Sequence, residues 1–361
     1  ACCISGYLFT ENFRYNLKIV FILGKYQPGR CGISDYVRLL AAELQRRGHH
    51  CRKISADPES GPSLAEISQS LPKADLVSLQ FAPYAFSKSG ISGHDLTALA
   101  ETLSLRKTHV LFHEIWIGSY PSASWMQKFR GWRQRSEILR FLRQARPCLT
   151  QTTNSAYLHR LNCHGIEAKY LYLFGNIPFE CAKSSRRQNS DNELEAVHFG
   201  TLYDNFPYET FVCRLSQLGE EMDIKSRILV LGRQRERSGL SKLGEAAGAK
   251  GIEIEVTNEL PDDEISRRLQ LSDLGFSTTP YDVLGKSGAT AAMLEHGLPV
   301  MAYDDGDTPD RFLSPPGPFK SRIALLNDPR FDDSIQAILR KPRPKFLNGV
   351  SHTTAEFLDS I

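Results

Sequence analysis

Residues 273–302 constrain the fold more than any other stretch, because two short apolar segments there enclose a loop, a helix and a turn. Leu274–Ser277 and Leu298–Ala302 have the length and composition of buried strands. Between them, Thr278–Gly285 contains Pro, Asp and Gly and predicts a loop, and Ala289–Glu295 is rich in helix formers. A strand, a helix and a second strand in this order indicate an open α/β sheet with parallel strands.

The start of that predicted helix has the features of an anion site. Ser287 stands at the N-cap position, with Lys286 before it and Gly288 after it. A parallel sheet brings the start of such a helix to its carboxyl edge, where ligands of open α/β sheets bind. The free N–H groups and the positive end of the helix dipole favour a phosphate there. The alternative is an ordinary strand–helix–strand unit that binds no ligand.

Two familiar nucleotide-binding motifs do not fit the sequence. Gly285-Lys286-Ser287 looks like the end of a P-loop, but Pro280 stands where that motif requires glycine. Near the start of the chain, Gly24, Gly29 and Gly32 do not have the G-x-G-x-x-G spacing of a dinucleotide site.

Length and composition indicate a soluble protein of two domains. The chain has 361 residues, 41% hydrophobic and 24% charged, and its net charge of +3 does not suggest a nucleic-acid partner. We find no apolar run of membrane-spanning length, and the start Ala1-Cys2-Cys3-Ile4 does not have the pattern of a signal peptide. The eight cysteines are scattered without C-x-x-C spacing, which predicts reduced thiols in a cytoplasm.

The first half alternates predicted strands and helices. Leu17–Leu23 reads as a strand, 24–32 as a glycine loop, and Ile33–Arg47 as an amphipathic helix. His113 and Glu114 directly follow a later strand, so we expect the histidine at the carboxyl edge of the sheet in a functional role rather than a purely structural one. The remaining predicted elements of this half are Asp75–Gln80, Asp95–Leu105, His109–Phe112, Leu149–Thr152, Ser155–Leu161 and Lys169–Leu173.

The second half begins after the polar segment Lys183–Glu193. Arg233 follows a predicted strand through Gly232, and it is either a phosphate contact or a solvated arginine. The acidic run Asp304-Asp305-Gly306-Asp307, with Asp310 beyond, predicts a solvated turn rather than a cation site, so we predict no metal. The other predicted elements are strands Glu195–Gly200, Ile228–Leu231 and Ile252–Val256, helix Asp262–Leu269 and a last helix, Ser351–Ile361.

One predicted helix, Trp125–Arg146, is strongly basic. Aromatic residues interleave with its cations, and Glu137 is its single acid. The pattern favours a helix that covers the sheet with a solvated outer face. The alternative is contact with an anionic membrane surface or a lipid-phosphate acceptor.

Several of these segments resemble the donor site of GT-B glycosyltransferases, especially the retaining family 4. The resemblance depends on Tyr281-Asp282, on the basic-Ser-Gly-x-Thr helix start that ends at Thr290, and on the run 295–300, Glu-His-Gly-Leu-Pro-Val. Gly32-Ile33-Ser34-Asp35-Tyr36 resembles the loop between donor diphosphate and acceptor, although a tight turn explains its glycine equally well. Phe174–Pro178 is similar to the exit from the first domain.

The resemblance implies two Rossmann-like domains facing across a cleft. The acceptor domain would comprise residues 17–175 and the donor domain residues 195–345, with a linker at 176–194. The final segment, 346–361, would form a helix that crosses back to the first domain, and residues 1–16 are an extension that we assign to neither domain.

The resemblance also implies a reaction, the transfer of a sugar from a nucleotide-diphosphate donor to an acceptor hydroxyl, with retention of configuration and without a cofactor. The acceptor would be a saccharide or a lipid-linked molecule. His113 would lie at the reacting sugar, Asp282 would bind donor hydroxyls, and Glu295 would bind the ribose. The donor-binding residues would further include Gly32, Gly200, Arg233, Lys286, Ser287, Gly288 and Thr290.

The sequence departs from the family pattern at two places. The two glutamates that the family often carries eight positions apart are missing, since Thr290 is eight after Asp282 and Ser287 is eight before Glu295. The basic pair usual after the glycine at position 200 is replaced by the segment 201–206, Thr-Leu-Tyr-Asp-Asn-Phe. A non-catalytic binding or scaffold subunit and a sugar-nucleotide epimerase therefore remain alternatives.

Overall fold

The computed structural model describes residues 16–57, 61–87, 93–119, 123–179, 193–232, 237–306 and 319–361. Within these ranges the chain forms two parallel sheets of six strands, each flanked by helices. The predicted α/β class is confirmed. The first sheet spans residues 18–170 and the second spans residues 193–325.

The first sheet has the strand order β2-β1-β3-β4-β5-β6. Its central strands are buried along almost their whole length, which explains their apolar sequences. The chain reverses its direction of winding between β1 and β3, so the switch point of this sheet lies between those two strands. The elements are β1 (Lys18–Leu23), α1 (Gly32–Arg46), β2 (His50–Ser55), α2 (Leu64–Ser70), β3 (Leu76–Phe81), α3 (Gly93–Leu103), β4 (Thr108–Phe112), α4 (Trp125–Ala145), β5 (Leu149–Thr152), α5 (Ser155–Cys163) and β6 (Lys169–Tyr170).

The second sheet has the order β12-β11-β10-β7-β8-β9, and its switch point lies between β7 and β10. A 3-10 turn, Tyr281–Lys286, connects β10 to α9. The elements are β7 (Glu193–Phe199), α6 (Tyr208–Glu221), β8 (Lys225–Leu231), α7 (Arg237–Ala249), β9 (Glu253–Val256), α8 (Asp262–Leu271), β10 (Leu274–Pro280), α9 (Gly288–Glu295), β11 (Val300–Tyr303), β12 (Ile323–Leu325), α10 (Phe331–Leu339) and α11 (Gly349–Ser360).

The unit predicted from residues 273–302 is confirmed as β10, a turn, α9 and β11. Ser287 is the N-cap of α9, and its side chain accepts a hydrogen bond from the backbone N–H of Thr290 at 3.2 Å. Gly297 ends the helix with φ of +81°, a conformation that favours glycine. The segment expected to be a plain loop contains the 3-10 turn instead.

The end of the chain packs against the first domain. Thr353 of α11 donates its hydroxyl to the carbonyl of Tyr172 at 2.9 Å, and Arg47 at the end of α1 donates to Ser351 at 2.7 Å. One apolar cluster runs from α1 and β1 through residues 171–177 to α9, β11 and Phe357 of α11. The two domains therefore share part of their core. Residues 1–15 and most of the expected linker, 180–192, lie outside the described ranges.

No helix in the described part of the chain is both long enough and apolar enough to cross a membrane. The five cysteines within these ranges, at positions 31, 51, 148, 163 and 213, are free thiols.

Candidate active site

The carboxyl edges of the two sheets meet across a cleft. The side-chain amide of Asn154, after β5, donates to the backbone carbonyl of Asp282, after β10, at 3.1 Å. Lys286 of the same turn places its ammonium 3.6 Å from the carboxylate of Glu114, after β4. Because ligands of open parallel sheets bind at the carboxyl edge near a switch point, this cleft is a candidate ligand-binding site.

A cavity of about 590 Å³ lies between the domains, within the size range of small-molecule pockets. Residues of both domains and of the connection between them line it. Among the described lining residues, three carry carboxylates, Asp35, Glu259 and Asp262, whereas Arg38 carries a positive charge. The described residues that line it are Gly29, Asp35, Arg38, Asn176, Ile177, Phe199, Gly200, Thr201, Gly232, Glu259, Leu260, Asp262 and Ile265.

The glycine loop of the first domain is fixed by the first turn of α1. The backbone N–H of Gly29 donates to the carboxylate of Asp35 at 2.9 Å, and the N–H of Gln27 donates to the hydroxyl of Ser34 at the same distance. Gly29, with φ of +76°, lines the cavity, whereas Gly32 opens α1 and is not among the lining residues. The expectation that Gly32 contacts the donor stays a prediction.

Gly200 connects the cavity to the start of α9. Its φ is +111°, and a Cβ at this position would lie 3.2 Å from the Cβ of Ala289, so glycine permits a close approach. On the opposite side, a Cβ at Gly288 would lie 3.7 Å from Oδ1 of Asn176. This oxygen is buried and has no hydrogen-bond partner among the described residues. A donor group of a ligand could satisfy it.

A cluster of hydroxyl groups supports the start of α9. The hydroxyls of Thr290 and Ser287 are 2.9 Å apart, and those of Thr290 and Ser277 are 2.8 Å apart. Ser287 and Gly288 are half-buried at the cleft, but Thr290 is 2% exposed. Thr290 therefore supports Ser287 within this cluster, and its assignment as a donor-binding residue stays a prediction.

Lys286 brings positive charge to the place where the domains meet. About a third of its side chain is exposed, and its partner Glu114 is exposed to a similar degree. The hydroxyl of Tyr157 in α5 is close enough that Lys286 lowers the pKa of Tyr157, although burial dominates and raises this pKa overall. A solvent-accessible ion pair of this kind contributes at most about 1 kcal/mol, so an incoming anion can compete for the lysine.

His113 is held by a chain of hydrogen bonds inside the first sheet. Its Nε2 is 2.9 Å from Oε1 of Gln80, whose Nε2 donates to the hydroxyl of Ser78 at 2.8 Å. Because Gln80 uses its amide nitrogen as donor, its oxygen must accept the hydrogen bond from Nε2 of His113. The other ring nitrogen of His113, Nδ1, is then a hydrogen-bond acceptor. Burial lowers the pKa of His113 to about 3, so the ring is neutral at physiological pH.

Glu295 is not at the cavity. Its carboxyl accepts the backbone N–H of Gly175 at 2.8 Å and the hydroxyl of Tyr172 at 3.1 Å, and the residue is 2% exposed. Burial raises its pKa to about 8. The expectation that Glu295 binds the donor ribose is corrected, because its carboxyl ties the end of α9 to the connection between the domains.

Asp282 is buried at the contact between the domains. It is 5% exposed, its carbonyl accepts the bond from Asn154, and it is not among the residues that line the cavity. The structure places Asp282 at the domain contact, and the expected contact of its carboxylate with donor hydroxyls stays a prediction.

Two sequence expectations fall partly or wholly on residues that the structure does not describe. Arg233 lies outside the described ranges, although Gly232 before it lines the cavity with φ of +92°. Asp307 and Asp310 are also outside them, and Asp304 forms a turn in which it accepts the N–H of Gly306 at 2.9 Å. Within the described ranges, no group of three or more potential ligands is arranged to hold a metal ion.

Sequence reasoning missed Arg38, Glu259 and the role of Gln80. Gln80 had a detectable signal, because Ser78 and Gln80 are polar residues at alternate positions of an otherwise apolar strand and so share one side. Arg38 and Glu259 had no local signal, since only the packing of the two domains brings them to one cavity.

Comparisons with known proteins define the fold. The chain is similar to a glycosyltransferase from Rickettsia africae, with 13% identity and a TM-score of 0.57. This match covers 95% of this chain and 94% of the other. The chain is also similar to an α-glucosyltransferase solved in complex with UDP-glucose and DNA. This match covers 96% of this chain and 95% of the other, with 10% identity and a TM-score of 0.51. A protein from Listeria monocytogenes that is described as a UDP-N-acetylglucosamine 2-epimerase matches over 95% of both chains, with 12% identity and a TM-score of 0.51. No protein-family model and no curated protein sequence matches the chain.

These likenesses confirm the predicted architecture, two Rossmann-like domains facing across a cleft in the GT-B fold. At 10–13% identity they establish the fold alone. The function has to be argued from the site.

Proposed function

We propose that this protein is a glycosyltransferase that moves a sugar from a nucleotide-diphosphate donor to an acceptor hydroxyl. One observation carries the proposal. The cavity between the two domains ends, at Gly200, against the half-buried start of α9, where Ser287 caps the helix and Lys286 adds a positive charge. A polar pocket whose carboxylates can accept hydrogen bonds from ribose hydroxyls, joined to a cationic helix start, matches a ligand with a nucleoside at one end and a diphosphate in the middle.

The charge distribution supports this orientation of the donor. Three carboxylates and one guanidinium among the described residues of the cavity disfavour a diphosphate inside it. Carboxylates can instead accept hydrogen bonds from ribose hydroxyls. The diphosphate would then lie at the start of α9, near Lys286, and the sugar would extend toward His113 and Glu114.

The same groups suggest how transfer would proceed with retention. Charge that develops on the leaving diphosphate would be stabilised by Lys286 and by the backbone N–H groups of α9. Neutral His113 would hold the sugar by accepting a hydrogen bond from a sugar hydroxyl at Nδ1, since Nε2 donates to Gln80. The departing phosphate oxygen would take the proton of the acceptor hydroxyl, which approaches from the same face of the sugar.

We infer a saccharide or lipid-linked acceptor, although its class is the least constrained part of the proposal. The exclusion of nucleic acid that the mild net charge suggested is not supported, because one protein with this fold was solved in complex with DNA. Scattered free thiols support a cytoplasmic, reducing compartment.

A thermal-shift screen against nucleotide-diphosphate sugars tests the proposal. A donor present at a hundred times its Kd should raise the free energy of unfolding by about 2.7 kcal/mol. The stabilising donor is then incubated with saccharide, lipid-linked and oligonucleotide acceptors, and products are identified by mass spectrometry. Stabilisation followed by sugar transfer is the expected result. A protein that no nucleotide sugar stabilises would instead be a binding or scaffold subunit of the same fold.

An epimerase remains the second candidate, because one structural neighbour is described as a sugar-nucleotide epimerase. The two activities separate when the donor is incubated without an acceptor. A transferase should leave most of the nucleotide sugar intact, whereas an epimerase should convert it to an isomer of the same mass, which NMR distinguishes.

A further inference from the structure

The beginning of α4 presents large apolar side chains to solvent. Trp125 is 75% exposed, Phe129 and Trp132 are each 54% exposed, and Met126 is 52% exposed. The rings of Phe129 and Trp132 stack with their centroids 6.0 Å apart. A cluster of this size on the surface of a soluble domain marks a site of interaction.

These side chains lie on the side of α4 that faces away from the protein. Trp125, Phe129 and Trp132 are spaced i, i+4 and i+7, so they form one stripe along the helix. The side packed on the domain is formed by a different set of positions: Gly131, Gln134, Ile138, Phe141, Leu142 and Ala145. The sequence interpretation of α4 as a helix with a merely solvated outer face is therefore incomplete, because that face is aromatic.

Cations surround the stripe. Within α4 six basic residues accompany the single acid, Glu137, which is 3.4 Å from Arg140. Beside the stripe, a groove of about 430 Å³ between α4 and α5 is lined by Trp132 and by further cations. The described residues that line this groove include Lys128, Arg135 and Arg160, and none of them is an acid. The basic residues of α4 are Lys128, Arg130, Arg133, Arg135, Arg140 and Arg143.

The stripe is held rigidly beside the cleft. A Cβ at Gly131 would collide with the carbonyl of Ile117, and a Cβ at Gly118 would collide with the carbonyl of Gln127. The N–H of Ile117 also donates to the side chain of Gln134 at 3.0 Å. The loop that follows His113 is thus in close backbone contact with α4, which fixes the stripe relative to the candidate active site.

We propose that the outward face of α4 docks on an anionic lipid bilayer. Trp and Phe side chains partition into the bilayer interface, and basic residues around them are attracted to anionic headgroups. The positive charge around the stripe favours an anionic bilayer over the other possible partners. A second copy of the chain would bring two sets of six cations together, and a nucleic-acid duplex has no apolar phase for Met126 and the three aromatic rings.

Co-sedimentation with vesicles tests the proposal. The full-length protein should bind vesicles that contain phosphatidylglycerol, should not bind pure phosphatidylcholine vesicles, and should dissociate as salt shortens the screening length from about 10 Å at 0.1 M to about 3 Å at 1 M. Two of the three tryptophans lie on the stripe, so their emission should also shift to shorter wavelength on binding. No binding to anionic vesicles at low salt would overturn the proposal.

A matched pair of variants locates the surface. The double variant Trp125→Ser and Phe129→Ser should weaken vesicle binding at least about tenfold, because two large side chains no longer enter the interface. Leu105→Ser removes another apolar side chain, 88% exposed and outside the stripe of α4, and should bind like the wild type. Both should unfold at the wild-type temperature, which excludes misfolding. Equal binding by the double variant would overturn the proposal.

Two further measurements separate the other occupants. Binding to oligonucleotides that exceeds binding to vesicles, or a dimer that the double variant abolishes, would overturn the assignment to a bilayer. None of these measurements requires a nucleotide sugar. They therefore test the docking surface independently of the proposed transfer reaction.

Discussion

Two capped helix starts face each other across the cleft, and they have different roles. Asn154 caps α5 by accepting the N–H of Tyr157 at 3.1 Å, and Ser287 caps α9 by accepting the N–H of Thr290 at 3.2 Å. Asn154 also donates across the cleft to the carbonyl of Asp282. The start of α5 is therefore occupied by the other domain, whereas the start of α9 borders Gly200 and the cavity.

The two helices are also anchored at opposite ends. The domain contact holds α5 at its start, and Gly285 of the facing turn lies so close that an added Cβ would be 2.7 Å from the carbonyl of Thr153. The helix α9 is held at its end, where Glu295 binds Gly175 and Tyr172. An N-cap in the sequence identifies the start of a helix. Only the tertiary contacts decide whether that start is available to a ligand.

The largest expected effect concerns the anchor of α9. Burial raises the pKa of Glu295 from its ordinary value of 4.5 to about 8, so the folded state binds more protons than the unfolded chain between these values. Stability should therefore fall as pH rises through this range, by up to about 1.4 kcal/mol per pH unit. Urea unfolding at about pH 5.5 and 7.5 should show a loss in the wild type that exceeds the loss in Glu295→Gln by roughly 1–3 kcal/mol.

The control for this measurement is Glu209→Gln, an exposed glutamate of α6, which should keep the wild-type pH dependence. Buried histidines such as His113, whose pKa is lowered, affect wild type and variant alike and cancel in the difference. Identical slopes for wild type and Glu295→Gln would show that this carboxyl is charged in the folded protein.

Residues on the two sides of the cleft should affect the steady-state kinetics differently. His113 lies on the side formed by the first domain, and its proposed role is to hold the sugar during transfer. His113→Ala should lower kcat at least about tenfold, or about 1.4 kcal/mol in the barrier, and should change nucleotide affinity little. Steady-state kinetics decides this, with His94→Ala as the control because that side chain is 87% exposed. A loss confined to KM would indicate uniform binding instead.

The smallest expected effect isolates the contact at the start of α5. Asn154→Ser retains a capping oxygen but loses the amide that donates to Asp282. The free energy of unfolding should fall by about 0.5–1.5 kcal/mol, the usual contribution of one hydrogen bond. Asn154→Ala, which also removes the cap, should cost about 1 kcal/mol more. Equal losses of unfolding free energy in the two variants would contradict the assignment of separate roles to the amide and the capping oxygen of Asn154.

The sequence predicted elements wherever local pattern was decisive. The strand–helix–strand unit at 273–302 and the N-cap Ser287 follow from apolar runs and cap chemistry. The edge strand His50–Ser55 was missed, because it is largely polar and none of its residues is buried, so its pairing with β1 has no local signature. Glu295 was misassigned for a related reason, since its partner Gly175 is 120 positions away in the chain.

The central claim is that the start of α9 binds a diphosphate with the help of Lys286. Isothermal titration calorimetry with the nucleotide diphosphate that stabilises the protein tests it most directly. Lys286→Ala should weaken binding by roughly 1.5–3 kcal/mol, or about 10- to 150-fold, because a hydrogen bond to a charged group is lost. Lys341→Ala, at an exposed position of the second half, should bind like the wild type, and the nucleoside without phosphates should not distinguish the three proteins. Equal affinity of Lys286→Ala and wild type for the diphosphate would contradict the account.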